Sequence, residues 1–178
     1  MRIIAGTHRG HTIHAPKGLE TRPTADRVRE NVFNIVGPLD GAAVLDVYAG
    51  SGAMGLEALS RGSARAVFVE LDDDAARTIE RNLDKLRLRG TVLRRDALTA
   101  LAAEVAARRK YDLVLVDPPY DMYPDVQPQL ARYLPALLGE DGALVVETDA
   151  RFEPELPLPQ RTSRRYGSAR ITVYEGAS

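Results

Sequence analysis

The sequence has no cysteine, no tryptophan and only three phenylalanines, and it carries a net charge of −1 over 178 residues. Without cysteine there is no disulfide scaffold, no thiolate metal site and no cysteine nucleophile. No metal site is expected. No run approaches the ~18 apolar residues of a membrane span. The opening Met1-Arg2-Ile3-Ile4-Ala5-Gly6 is too short for a secretory signal. A soluble, cytoplasmic protein with no membrane partner is the expectation. The rest of the composition is ordinary, 44% hydrophobic and 28% charged, which argues against disorder. The length suits one domain that buries roughly two-thirds of its unfolded surface, with no room for a second large one.

The small net charge hides an asymmetry. Residues 1–30 hold six basic and three acidic groups, a net of +3, together with all three histidines (His8, His11, His14). The other 148 residues carry a net of −4. A basic segment of this kind can meet a polyanion although the whole chain is neutral. Lysine is scarce: 21 of the 24 basic residues are arginine. Arginine forks onto phosphate and stacks on bases, which suits RNA, but a coding bias replacing lysine would give the same excess.

Residues 1–23 are rich in glycine and proline, with short β-like pieces at Arg2–Ala5 and Thr12–His14, and predict a hairpin and an extended arm. Residues 24–36 predict a helix, with Thr24 as N-cap and Val28, Val32, Ile35 and Val36 as one stripe. A strand–helix alternation then begins. Strands are expected at Ala43–Val47, Ala66–Glu70, Thr91–Arg94, Tyr111–Asp117 and Ala143–Glu147. Helices are expected at Gly52–Arg61, Asp72–Leu88, Ala97–Arg109 and 124–138. Arg161–Tyr166 and Arg170–Glu175 predict an antiparallel hairpin turned at Gly167-Ser168. This pattern implies an α/β, Rossmann-like fold: a seven-stranded, mainly parallel sheet covered on both faces, a C-terminal antiparallel hairpin and an N-terminal hairpin and helix. Residues 1–36 are expected to be an extension of a body spanning 37–178. Ligands in such sheets bind at the carboxyl ends of the strands.

The loop after the first strand holds Gly50, Gly52 and Gly55 in GxGxxG spacing. A glycine turn can serve helix–strand packing alone, a dinucleotide pyrophosphate, or S-adenosylmethionine. The last carries an ammonium and a sulfonium and no phosphate. Asp46, four residues before Gly50, would oppose a pyrophosphate and suits those cations. Glu70 ends the second strand and can accept both ribose hydroxyls of either cofactor. Asp96, after the third strand, can accept from an adenine amino group while Ala97 or Leu98 packs on the ring, or can cap the following helix.

Asp117-Pro118-Pro119-Tyr120, after the fourth strand, is the most specific stretch. Two prolines fix φ and remove two donors, so the loop presents carbonyls as acceptors. A carboxylate precedes it and a ring follows. This suits methylation of an exocyclic amine, whose lone pair is delocalised. The Asp117 carboxylate and the Pro118 carbonyl can hold its two N–H groups and turn the lone pair towards a donor methyl. Tyr120 can stack on the base. Positioning and stabilisation of charge on nitrogen supply the catalysis.

Together these residues resemble class I amino-methyltransferases. Arg2-Ile-Ile-Ala-Gly6, Arg9-Gly10, Pro16-Lys-Gly18 and the run Thr21–Ile35, with Tyr48–Arg61 (YAGSGAMGLEALSR) and Tyr166-Gly167, more closely resemble the RsmD family over nearly the whole chain. These are bacterial 16S rRNA guanine-N2 methyltransferases acting on an assembling 30S particle. The resemblance implies S-adenosylmethionine as cofactor, held at Asp46, Tyr48, Gly50, Ser51, Gly52, Glu70, Leu71, Asp96, Ala97 and Asp117. Thr24 and Arg27, in a segment lying over the site, would also bind the cofactor. It also implies catalysis by Asp117, Pro118, Pro119 and Tyr120, and RNA contacts at Arg2, Arg9, His11, Arg22, Arg27 and Arg29. A monomer is expected. His11-Thr12 departs from the basic residue the family commonly places after Arg9-Gly10. Arg27 and Arg29, two apart on a helix, cannot both face one side.

Other functions fit less of the chain. A DNA amino-methyltransferase shares the Asp-Pro-Pro-Tyr chemistry but generally needs a target-recognition domain to read a duplex. A protein-glutamine methyltransferase would favour Asn at position 117. A dinucleotide oxidoreductase leaves Asp117–Tyr120 without a task. An RNA-binding module has no need of a complete cofactor site.

Overall fold

A computed structural model describes residues 1–18 and 23–177, apart from the side chains of residues 23–25. Arg22 and the side chain of Thr24 therefore lie outside the described residues. The helix expected at 24–36 is α1 (Pro23–Val36). It precedes β1 (Ala43–Val47), α2 (Ala53–Ser60), β2 (Arg65–Val69), α3 (Asp73–Leu86) and β3 (Thr91–Leu93). Then come α4 (Ala97–Ala106), β4 (Tyr111–Val116), α5 (Tyr123–Leu137), β5 (Leu138–Asp149), β6 (Gln160–Tyr166) and β7 (Ala169–Glu175).

The seven strands form one sheet in the order β3-β2-β1-β4-β5-β7-β6. The first five are parallel, and β7 runs antiparallel between β5 and β6. Strands buried on both sides read as continuous apolar runs, as Leu113–Val116 does. One face packs against α1–α3 through Phe33, Leu56, Phe68, Ile79 and Ile171. The other packs against α4 and α5 through Leu101, Leu130, Leu134 and Val114. From β1 the chain moves outward to β2 and β3, then returns to β4 on the other side. The switch point therefore lies between β1 and β4, beside Asp46 and Asp117.

The expected N-terminal hairpin is present: Arg2 bridges Thr12, and backbone bonds of 2.9 Å run from Ile3 to His11, from Gly10 to Ile3 and from Ile13 to Met1. Its outward-facing Ile4 and Ala5 amides bond the Glu57 carboxylate at 2.9 and 3.0 Å. Two element boundaries differ from expectation. Helix α3 stops two residues short of Leu88. Arg87 enters the left-handed region at φ 54°, and the Leu88 amide closes on the Leu83 carbonyl. Strand β5 begins at Leu138, five residues early, because Leu138 pairs with Tyr111 before a register shift leads to the Ala143 pairing.

Candidate active site

The register gathers the site. Val69, Val47, Val116 and Val146 occupy one rung across β2, β1, β4 and β5. One residue further along each chain stand Glu70, Tyr48, Asp117 and Glu147. Three of these four are carboxylates, and Asp46 lies one step behind them.

Asp46 is 3% exposed and accepts from the Gly55 amide at 2.9 Å. Burial, opposed by that bond and reinforced by Glu70, pushes its carboxyl up to about 7. Gly55 permits the contact, since a Cβ there would stand 2.3 Å from the Phe68 ring. A Cβ on Gly52, at φ 80°, would press on Ile79 and Phe68 at 3.2–3.3 Å. The glycine turn thus brings α2 tight onto the sheet and leaves the α2 N-terminus beside Asp46. Tyr48 adopts φ 61°, the left-handed region, as the chain leaves β1. Burial and nearby Asp96 push its hydroxyl up to about 12, so it stays neutral.

Glu70 ties two loops together. One oxygen accepts from the Gly50 amide at 2.7 Å and the other from Asp72 at 2.9 Å. A carboxylate has about four acceptor positions, so ribose hydroxyls can still be received. Leu71 follows, 67% exposed, an apolar surface beside Glu70. Asp96 caps α4: one carboxylate oxygen receives the Thr99 amide at 3.0 Å and its hydroxyl at 3.2 Å. Ala97 is buried beneath it. Ser51 is buried, and its hydroxyl approaches the Met1 sulfur at 3.7 Å.

In the loop after β4, solvent reaches Asp117 at the rim, but the packed atoms around its carboxyl still desolvate it. That desolvation, with the charges of Glu147 and Asp46, raises its pKa well above its ordinary value. The Tyr120 hydroxyl donates to Glu147 at 2.7 Å, which orients the ring. Pro118 is buried and Pro119 exposed. One expectation is corrected here: not every carbonyl of the loop is available, since that of Pro119 accepts the Met122 amide at 3.0 Å.

The N-terminal segment is anchored by two residues that the sequence reading missed. Glu57, fully buried on α2, holds the Ile4 and Ala5 amides and Arg61 at 3.0 Å, with Arg29 at 3.7 Å. Asn82, fully buried on α3, grips His14 at both its amide (2.7 Å) and carbonyl (3.0 Å), and the Ser51 carbonyl at 3.1 Å. A lone carboxylate in the apolar run Ala53–Leu59 was the available signal for Glu57. For Asn82 it was a place in phase with the apolar stripe of α3.

The structure divides the expected RNA contacts. Arg27 is exposed, whereas Arg29 is 4% exposed, donates to the Arg2 carbonyl and pairs with Asp26 at 3.0 Å. Burial lowers its pKa, against the carboxylates of Glu57 and Asp26. Arg29 is thus an internal strut, unavailable to RNA. Arg2 is exposed and reaches Asp26 at 3.1 Å. Arg9 and His11 are exposed at the tip of the N-terminal turn, where Thr7 bonds Ser60 and His8 bonds the Leu86 carbonyl. Those are the far ends of α2 and α3. Both helices start at the site, so the tip lies ~10–20 Å away along their axes.

Comparison with known proteins agrees with this arrangement. The family described as Conserved hypothetical protein 95 matches residues 1–175. The chain is 36% identical over 170 residues to ribosomal RNA small subunit methyltransferase D of Haemophilus influenzae, covering 93% of this chain and 84% of that one. The chain belongs to the RsmD family of methyltransferases. Among its relatives, YlbH of Bacillus subtilis, a candidate rRNA methyltransferase, is 37% identical over 188 aligned positions and 98% of each chain. The solved Escherichia coli protein yhhF, a candidate methyltransferase, superposes with a TM-score of 0.85 at 30% identity, over 100% of this chain and 98% of that one. The Thermus thermophilus 16S rRNA N2 G1207 methyltransferase RsmC, solved with AdoMet and guanosine, shares the fold at a TM-score of 0.73 and 19% identity, over 90% of this chain and 45% of that one. The RsmD-family chain is thus a methyltransferase on a class I, Rossmann-like scaffold.

Proposed function

We propose that this chain transfers a methyl group from S-adenosylmethionine to the exocyclic N2 of one guanine of 16S rRNA in an assembling 30S particle. One observation carries the reading: the Asp117-Pro118-Pro119-Tyr120 loop adjoins a glycine turn surrounded by carboxylates at the switch point of the sheet. Asp46, Glu70, Asp117 and Glu147 gather four carboxyls at this end of the sheet, and a bound cation would favour their charged forms. That repels a pyrophosphate and suits an ammonium and a sulfonium, so the residues present fit S-adenosylmethionine. Asp46 and the Gly50–Gly52 turn would hold the methionine portion, Glu70 the ribose, and Leu71 and Ala97 the faces of the adenine. When bound, the cofactor supplies an electrophilic methyl.

The chain's own residues prepare the acceptor. The Asp117 carboxylate and Pro118 carbonyl would receive the two N–H groups of the amine. Tyr120, oriented by Glu147, would hold the base plane. As the N–C bond forms, the bond from the methyl to sulfur breaks and its electron pair stays on sulfur; nitrogen becomes positive and must lose a proton. Asp117, with its raised pKa, is suited to take it. Residues 1–36 act in this reading as an extension of the 37–178 body, anchored through Glu57 and Asn82. The enzyme works as a monomer with RNA, without DNA.

Incubation with labelled S-adenosylmethionine and, in parallel, naked 16S rRNA, unmodified 30S particles, duplex DNA and ribosomal protein tests this. Digestion should yield N2-methylguanosine from the ribosomal RNA. Label in N6-methyladenine or in protein would refute it.

A further inference from the structure

We infer that the outer edge of the sheet, β6 with Arg161 and Arg164, is a second RNA-phosphate surface that holds the substrate strand beside the site. The inference rests on the RNA-methyltransferase reading and says where the RNA backbone lies. Residues 160–170 contain four arginines and no acid, in a body that is otherwise net acidic. Arg161, Arg164 and Arg165 are exposed.

The register places this edge at the level of the chemistry. Glu147 pairs with Ile171, and Ile171 with Arg164. At ~4.8 Å per strand, Arg164 stands ~10 Å from Glu147 and ~14 Å from Asp117. Its side chain shares the Ile171 face, the one α1 covers. There a concavity of about 500 Å³ opens between α1 and β6, lined by Asn31, Asn34, Ile35, Arg161, Thr162 and Arg164. Its lining is rich in hydrogen-bond donors and lacks a carboxylate. Arg161 meets Glu175 at 3.6 Å, an exposed pair that is weak in water. Arg170, buried, donates to the Ser163 hydroxyl at 2.9 Å and the Ala150 carbonyl at 3.3 Å, which stiffens the hairpin. An edge strand needs charge to block pairing with other edges, but either sign would serve, and here every charge on residues 160–170 is positive. Backbone contacts of this kind position a strand without reading its sequence. The Arg9–His11 tip, at the far end of the helices, is less well placed to do so.

The test is the Arg161→Gln/Arg164→Gln double variant, with binding to an unmodified 16S rRNA transcript followed across salt concentration. Each lost phosphate contact should lower the log–log salt slope by ~0.7, so the pair should lower it by ~1.4. S-adenosylmethionine affinity should be unchanged, and Arg161→Lys/Arg164→Lys should retain the wild-type slope. If the double variant does not fold, Arg164→Gln alone should give half the change. An unchanged slope overturns the inference. So does an unchanged slope with weaker binding to 30S particles, which would assign the edge to a ribosomal protein. Failure of the proposed function reads separately, as wild-type enzyme that forms no N2-methylguanosine while the slope still responds.

Discussion

Asp46→Asn should make the protein more stable and less functional. The folded carboxyl has a pKa of about 7, against an ordinary value of 3.8. Below about pH 4 both folded and unfolded chains hold the proton. Between about 4 and 7 the folded chain keeps a proton that the unfolded chain has released, so stability falls as pH rises and levels off above 7. At ~1.4 kcal/mol per pKa unit, the roughly three-unit displacement corresponds to at most about 4 kcal/mol. Asparagine removes the buried charge and keeps an oxygen for the Gly55 amide. In urea unfolding at pH 8 the variant should gain ~2–4 kcal/mol over wild type, and the gain should shrink towards zero at pH 4. Titration calorimetry with S-adenosylmethionine should show affinity lower by about tenfold or more, an ion-pair-sized loss. Equal or lower stability at pH 8, or a gain independent of pH, would refute the reasoning. Stability given up for a charge is expected where that charge has a task.

Asp117→Ala should lower turnover by about 10²–10⁴-fold while RNA affinity stays near wild type; a parallel loss of RNA binding would remove Asp117 from catalysis. Because the Asp117 pKa is raised, the carboxylate is lost to protonation above the usual acid range. Wild-type kcat should therefore rise with pH through that raised value, and a pH–rate profile with no rise above the ordinary carboxylate range would count against it. Gly55→Ala puts a methyl 2.3 Å from Phe68, and thermal unfolding should register a loss of about 1–3 kcal/mol or more. Glu57→Ala strips Arg29 and two amides of their buried partner. It should cost about 3–5 kcal/mol and expose residues 1–18 to proteolysis; wild-type resistance in that segment would contradict its anchoring role.

Much of the site was legible because its parts are local. Asp46 stands at a strand end before a glycine turn, and Asp117-Pro-Pro-Tyr120 follows an apolar strand. Neither needs a distant contact to be noticed. Glu147 was not legible. In sequence it closes an ordinary apolar strand, and only the Val116–Val146 register sets it beside Asp117. Asn82 lies in phase with the apolar stripe of α3, but its partners, His14 and Ser51, are far off in sequence. The helix geometry required that Arg27 and Arg29 diverge, but not which one turned inward. Arg29 does, because Glu57 waits beneath α1.

The sequence by itself determined the strand–helix alternation, the glycine turn and the acceptor loop, since periodicity and short-range backbone chemistry are written in neighbouring residues. Tertiary structure decided which charges serve the site and which serve the fold. The same arginine is a phosphate ligand in water and a strut when a buried carboxylate faces it, and that depends on what the sheet and helices bring together. It likewise set the basic C-terminal hairpin level with the chemistry, because strand pairing sets distance in a way that residue number does not.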